Sequence, residues 1–463
     1  MKKNILIITL LITASYALPV YSAQAVPGKA PLTLGECIGT ALSQSPRMII
    51  AEEKLNAVRA QKTQAFGTAL PSLKISSSYT KMTNPYEAFT AELAPIFAAI
   101  MPTASIGTSS SDDMEQYKMA VSFTQILWGA HVLPVIFAAD LALKQAENNL
   151  QREKQNTALE TTKAFFEVLK ARRLLGIIAQ SAELLSAHLY RVETMKEIGM
   201  ATEAHVLQTK LQLAQLQQQV IQLDGAVEIA GYAFNNTMGY NLDRPVMLDD
   251  RSNISVPTTN IQYLLEKAKV SRPDILSMQK MIKILETNLH LVGSPQWPAI
   301  VFTASYDWTD NDRFTYDQDN QNWMWTVAGS WTLFDGWQTP AKVDEAAAGL
   351  RQMKKNYEQM LTGVVFEVKM ALQNAKVAER KLGAAGYETE LAKQNLEATM
   401  VRFEHGAGSN LDVLDAQTKI MSAQSTLANT KYDYEVAKAA LLNAIGEETE
   451  GGGTVAVAKH FKM

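Results

Sequence analysis

The stretch His405-Gly406-Ala407-Gly408-Ser409-Asn410-Leu411-Asp412-Val413-Leu414-Asp415-Ala416-Gln417 puts a helix stop and a helix start a few residues apart. Glycine suits the left-handed residue that ends a helix, and Ser409 suits the N-cap of the next, so the stretch reads as the turn of an antiparallel helical hairpin. Upstream, apolar positions run Ala346, Leu350, Met353, Tyr357, Met360, Val364, then Ala371, Ala375, Ala378, Leu382 and Ala385, largely in steps of three and four. That is coiled-coil spacing. Downstream, Leu411, Leu414, Thr418, Met421, Ser425, Ala428 and Tyr432 form the returning seam. A single helix over 342–404 extends roughly 95 Å at about 1.5 Å per residue, far more than a globular domain needs.

The same turn occurs 207 residues earlier as Glu197-Ile198-Gly199-Met200-Ala201-Thr202, followed by the seam Leu207, Leu211, Ala214 and Ile221. At that fixed offset Gly129 matches Gly336, Gly199 matches Gly406, Thr202 matches Ser409, Val206-Leu207 matches Val413-Leu414, and Met238-Gly239 matches Ile445-Gly446. Further upstream the offset is 227, pairing Ser45-Pro46-Arg47 with Arg272-Pro273-Asp274 and Leu70-Pro71 with Trp297-Pro298. The chain is thus an internal duplication. Its first half carries 20 extra residues, placed in the Ala-, Ser- and Pro-rich loop Thr83 to Asp113, against a shorter loop Thr309 to Asn322 in the second half.

Between the helices, apolar and polar residues alternate. Leu73, Ile75 and Tyr79 oppose Lys74, Ser76, Ser78 and Thr80, and Met119, Val121 and Phe123 oppose Lys118, Ala120, Ser122 and Thr124. In the second half Ile300, Phe302, Ala304, Tyr306 and Trp308 oppose Thr303, Ser305 and Asp307, and Trp325, Val327, Trp331 and Leu333 oppose Thr326, Ser330 and Thr332. Period-2 alternation marks strands with one apolar and one wet face. Tyr306, Trp308, Trp323 and Trp325 stand beside the outer loops and Trp128, Trp331 and Trp337 near the helices, like two aromatic girdles around an apolar band. A soluble sheet with one buried face is the competing reading.

The resulting order is a signal peptide at 1–25 and a first repeat at 26–239, with strands at 71–82 and 115–128 and helices at 132–198 and 202–239. A linker at 240–260 leads to a second repeat at 261–446, with strands at 298–309 and 323–334 and helices at 340–404 and 409–446, and then to a flexible tail at 447–463. The signal peptide rests on Lys2 and Lys3, the apolar run Ile5 to Ile12 and the small-residue ending Ala23-Gln24-Ala25. Its loss leaves 41 basic against 47 acidic residues, net −6, which gives nucleic acid no attraction. No later stretch reaches the roughly 18 consecutive apolar residues of a spanning helix. Four strands cannot close a barrel, and open edges are not tolerated in lipid. Subunits must therefore share one: two chains give eight strands and a filled bore, whereas three give twelve and room for water.

Over essentially the whole mature chain, from the opening Leu32-Thr33-Leu34 helix with Ser45-Pro46 to Gly446, the sequence resembles the TolC-like outer-membrane efflux family. Its mark is the Gly-x-x-Ser/Thr turn followed by an Asp-Val-Leu-type helix start, here Gly406 to Gln417. The resemblance implies an α+β membrane protein: a homotrimer with a twelve-strand barrel in outer-membrane lipid and a periplasmic tunnel of twelve helices. It also implies a periplasmic adaptor and an inner-membrane pump as partners, in a tripartite efflux or type I secretion system that exports drugs, metals or polypeptides. The hairpin tips, Gly199 with Thr202 and Gly406 with Gly408 and Ser409, are then the adaptor-docking ring.

By position, the family's acidic entrance residues transfer to Asp412 and Asp415, where threefold symmetry would gather six carboxylates into a cation-favouring mouth. Asp412 also suits the helix start three residues after its cap, a role Asp415 lacks. The first half departs from the pattern, with His205 and Gln208 at the equivalent positions, and Gly408 stands where some relatives place an arginine that ties the entrance shut.

No other chemistry is legible. The histidines at 131, 188, 205, 290, 405 and 460 form no metal-ligand spacing, and no nucleophile elbow, phosphate loop or dinucleotide fingerprint appears. No enzyme and no cofactor is expected. Cys37, the one cysteine, excludes an intrachain disulfide, and Glu36 before it spoils a lipoprotein signal, which leaves a small buried thiol. A periplasmic coiled-coil scaffold without a pore is the alternative function, and an envelope hydrolase a weaker third.

Overall fold

The computed structural model describes residues 31–82, 96, 99–100, 114–251, 253–256, 260–310 and 321–448. The signal-peptide reading, most of the two outer loops and the end of the tail lie outside the described residues.

Each half opens with a pair of helices split at a proline corner: α1 (Leu34–Gln44) and α2 (Pro46–Gly67), then α5 (Ile261–Ser271) and α6 (Pro273–Gly293). Proline at the first helical position loses no needed N–H. Thr33 and Glu36 form a capping box on α1, and Ser45 caps α2 by accepting from the Met48 N–H at 3.4 Å. Strands β1 (Ser72–Met82) and β2 (Met114–Gly129) follow the first pair, and β3 (Ala299–Asp310) and β4 (Gln321–Ser330) the second. Helix hairpins complete each half: α3 (Val132–Glu197) with α4 (Glu203–Met238), and α7 (Gln338–Glu404) with α8 (Asn410–Ile445). At 66 and 67 residues, α3 and α7 each run about 100 Å.

The strands form one antiparallel sheet in the order β1-β2-β3-β4. Its register puts Leu73, Phe123, Ala304 and Trp325 in one row and Ile75, Val121, Tyr306 and Trp323 in the next, all on one face. Lys74, Ser122 and Ser305 share a row on the other, as do Ser72, Thr124, Thr303 and Thr326. Tyr79 packs on Tyr117 and Phe123 edge-on against Phe302, so the apolar rows are knitted side by side. The alternation read from the sequence is therefore a two-faced sheet. The soluble-sheet reading fails, because a soluble sheet would cover this face, and Leu73, Ile75, Trp323 and Trp325 are exposed. Trp331 to Phe334, expected to continue the last strand, lie beyond it. The ladder ends where Ala299 meets Ser330, which leaves residues 331–334 no partner strand, and the Trp331 indole donates instead to the Gln296 carbonyl at 2.9 Å.

The main core lies midway along α3. There Phe165, Phe166 and Val168 meet Leu34 and Cys37 of α1, Phe234 and Met238 of α4, Leu264 of α5, Ile275 of α6, Val368 of α7, and Leu441 and Ile445 of α8. Burial pushes the Cys37 thiol up to about 12, in keeping with an inert packed group. The duplication repeats one tight corner. Gly239 (φ 72°) ends α4 against Pro46, and Gly446 (φ 81°) ends α8 against Arg272, where a Cβ would come within 3.0 Å of the Arg272 backbone. Residues read as a linker strap α8: the Ile254 N–H donates to Glu435 at 2.9 Å, and the Tyr432 hydroxyl to Asp250 at 3.1 Å.

Among the described residues no helix is long and apolar enough to cross a membrane, and no group of metal-ligating side chains assembles.

Candidate functional site at the hairpin tips

Both turns adopt the geometry their residues specify. Gly199 (φ 80°) and Gly406 (φ 70°) take the left-handed conformation, which costs a glycine nothing. The Met200 N–H reaches back to the Met195 carbonyl and that of Ala407 to Arg402, both at 2.8 Å, which closes the ends of α3 and α7. Thr202 then caps α4 through the His205 N–H at 3.4 Å. Ser409 and Asp412 form a capping box on α8, with Ser409 N–H to carboxylate at 3.0 Å and Asp412 N–H to hydroxyl at 3.2 Å. The Ser409 backbone N–H and then its hydroxyl hold the Asp412 carboxyl below its ordinary range.

Asp412 and Asp415 are both exposed on α8. Asp415, which lacks the capping role of Asp412, pairs its carboxylate with Lys419 at 2.7 Å, one turn on. Gln208 is exposed and His205 half-buried. Gly408 packs tightly, since a Cβ there would sit 3.2 Å from the Phe403 nitrogen. A larger side chain at this position would require the Phe403 backbone to give by a few tenths of an ångström. Arg402 arches over the turn, with its guanidinium 3.5 Å from the Ala407 carbonyl.

The strongest polar constellation near the tips involves residues that sequence reasoning passed over. Asn410, fully buried just after the cap, receives a 2.8 Å hydrogen bond from His188 Nε2 on α3. Its amide donates to Thr209 Oγ1 at 3.2 Å and to the His205 carbonyl at 3.3 Å, both on α4. The His188 ring lies against Phe403 of α7, with centroids 5.4 Å apart. Burial, and secondarily the Arg191 charge, lower the His188 pKa, while the bond to Asn410 opposes them. The signal available was spacing: Leu185, His188 and Val192 fall three and four apart, so the histidine sits on the packed seam. Around this node lie exposed ion pairs, Arg191 with Glu404 at 2.9 Å, Lys210 with Glu193 at 2.9 Å, and Lys196 with Glu203.

The family described as outer membrane efflux protein matches residues 37–239 and 264–447. Among curated relatives, outer membrane protein TolC of Vibrio cholerae serotype O1 is 22% identical over 374 residues, covering 79% of this chain and 85% of its own length. Outer membrane efflux protein BepC of Brucella suis biovar 1 is 21% identical over 346 residues, 74% of this chain and 75% of that protein. Among solved structures, the outer membrane protein VceC of Vibrio cholerae superposes with a TM-score of 0.71 at 16% identity, over 90% of this chain and 96% of that one. A fold of long helical hairpins on a four-stranded two-faced sheet, matched through both repeats, belongs to the outer membrane efflux protein family, and this chain is an outer-membrane channel subunit of that family.

Proposed function

We propose that three copies of the chain close one twelve-strand barrel in outer-membrane lipid above a twelve-helix periplasmic tunnel, and that the duct passes cargo handed over by an inner-membrane pump and a periplasmic adaptor. It catalyses no reaction and binds no cofactor. The observation that carries this reading is the sheet: Leu73, Ile75, Trp323 and Trp325 of its apolar face are exposed, and among the described residues no strand lies beside the outward edges of β1 and β4. In lipid each unpaired backbone group costs several kcal/mol, so the edges require strands from other copies. Three copies leave a water-filled bore where two would not.

The duplication also calls for a neighbouring copy. Within the chain α6 packs against both α3 and α7, whereas its counterpart α2 packs against α3 and presents a bare flank. Ser277 of α6 is 7% exposed, yet its counterpart Ile50 is 56% exposed. Phe366 of α7 is 68% exposed, while its counterpart Leu159 packs against the core. A neighbouring subunit's α7 laid on α2 would cover both.

A pore-less scaffold has no use for the bare apolar sheet. Negative-stain images of detergent-solubilised protein test the reading: threefold hollow particles well over 100 Å long, in keeping with two helices of about 100 Å, are expected, and a water-soluble rod or a compact monomer would discard it.

A further inference from the structure

We propose that Lys74 and Lys118 make the barrel section of the duct a binding passage for multivalent anions of the polyphosphate kind, opposite in sign to the mouth at the hairpin tips. The proposal rests on the channel reading above, in which the apolar face of the sheet meets lipid and the wet face turns to the bore.

Lys74 of β1 shares a row with Ser122 and Ser305, and Lys118 of β2 shares one with Ser78 and Thr309, all on the wet face. Ser72 and Ser76 flank Lys74 along its own strand. Hydroxyls can donate to an anion beside an ammonium, so the surroundings of both lysines suit one. Both lysines are exposed, and among the described residues neither is held in an ion pair. Lys81, on the opposite face, pairs with Glu115 at 3.5 Å.

Neither lysine is needed to keep the face wet. The row of Ser72, Thr124, Thr303 and Thr326 is wetted by hydroxyls alone. At the offset of 227 residues the counterpart of Lys74 is Val301, so the repeated strand pair forms without a charge there. Asp307, in the row of Ser76, Ala120 and Asn322, is the one acid among the described strand residues of this face. It lies between the two lysine rows. Three copies would set six lysines against three aspartates in the bore, and rings of lysine in a water-filled pore favour anions. The two lysine rows fall four residues apart along β1, about 14 Å, so an extended polyanion reaches both.

The full-length protein in planar bilayers, in potassium chloride of about 0.1 M where the Debye length is about 10 Å, is titrated with sodium tripolyphosphate from the side of the outer loops. Block of the wild-type current is expected. Lys74→Gln combined with Lys118→Gln should raise the half-blocking concentration about tenfold, and Asp307→Asn should lower it about threefold. Equal block in the wild type and the lysine variant, or no block of a conducting wild type, overturns the proposal. Independently of current, tripolyphosphate should slow reductive methylation of Lys74 and Lys118 in detergent-solubilised protein about threefold, while Lys269 of α5 reacts unchanged. Equal slowing at all three lysines, or at none, also overturns it. A chain that stays in water without detergent and inserts no barrel removes the channel reading and the proposal with it, whereas a conducting channel indifferent to tripolyphosphate removes the proposal alone.

Discussion

The Arg272 guanidinium donates to the Glu367 carboxylate at 2.6 Å and to the Ala444 carbonyl at 2.9 Å, joining the start of α6, the middle of α7 and the end of α8. Asp274 takes its other nitrogen at 2.7 Å, and Arg152 caps the same helix end through the Asn443 carbonyl at 3.0 Å. Cations at a helix C-terminus meet both unpaired carbonyls and the negative end of the dipole. The site is nearly closed, with only 4% of the Arg272 side chain exposed.

Arg272→Met should therefore leave two partly exposed carboxylates and the α8 end carbonyl without their main cation. A loss of about 1.5–3 kcal/mol is expected, read as a lower thermal midpoint of the helical signal in detergent. Arg272→Lys should recover little of it, because a single ammonium cannot reproduce the fork that serves Asp274, Glu367 and Ala444 at once.

His188 gives the periplasmic end a pH response. Its folded pKa lies below the ordinary 6.5, first because burial disfavours the cation. The unfolded or opened state therefore binds the proton more readily, so the stabilisation is fully present above about pH 6.5 and fades as pH falls through the folded value. Amide protection factors for residues 185–192 should fall between pH 7 and pH 5, and His188→Gln should flatten that dependence. A slope retained in the glutamine variant would assign it to another group.

Asp412 and Asp415 should bias the mouth toward cations. Asp412→Asn combined with Asp415→Asn is expected to move the reversal potential in a potassium chloride gradient toward the unselective value, or to relieve block by multivalent cations. With Lys419 already paired to Asp415, the Asp412→Asn change alone should account for most of the shift. Unchanged selectivity would leave both carboxylates as ordinary helix-surface groups.

Ile50→Glu should loosen the assembly without unfolding the subunit. Its side chain is 56% exposed in one chain and would be covered in the proposed trimer, where burying it contributes about 1.5–3 kcal/mol per copy. Native electrophoresis in mild detergent should show monomer at the expense of trimer, with unchanged helical content. Intact trimers would place the neighbour elsewhere.

Much of this architecture was legible because it rests on local chemistry. Gly199 with Thr202 and Gly406 with Ser409 specify their turns whatever surrounds them, and the strands announce their faces by alternation. The end of β4 was read too far, because the pattern Trp331, Leu333 continues after the partner strand stops. The Asp415–Lys419 pair, one turn apart on α8, was readable and passed over. The His188–Asn410 contact joins residues 222 apart in the sequence, and no propensity encodes which helices lie side by side.

The two outward edges of the sheet bear on how copies of unequal quality behave when mixed. In the proposed ring a pair of subunits still ends in two raw edges, so no partial ring would be at rest, and every member of a finished ring would be indispensable to it. A copy able to join its neighbours but unable to open would be carried into rings with sound ones, so a minority of faulty chains in a cell would silence a majority of its ducts.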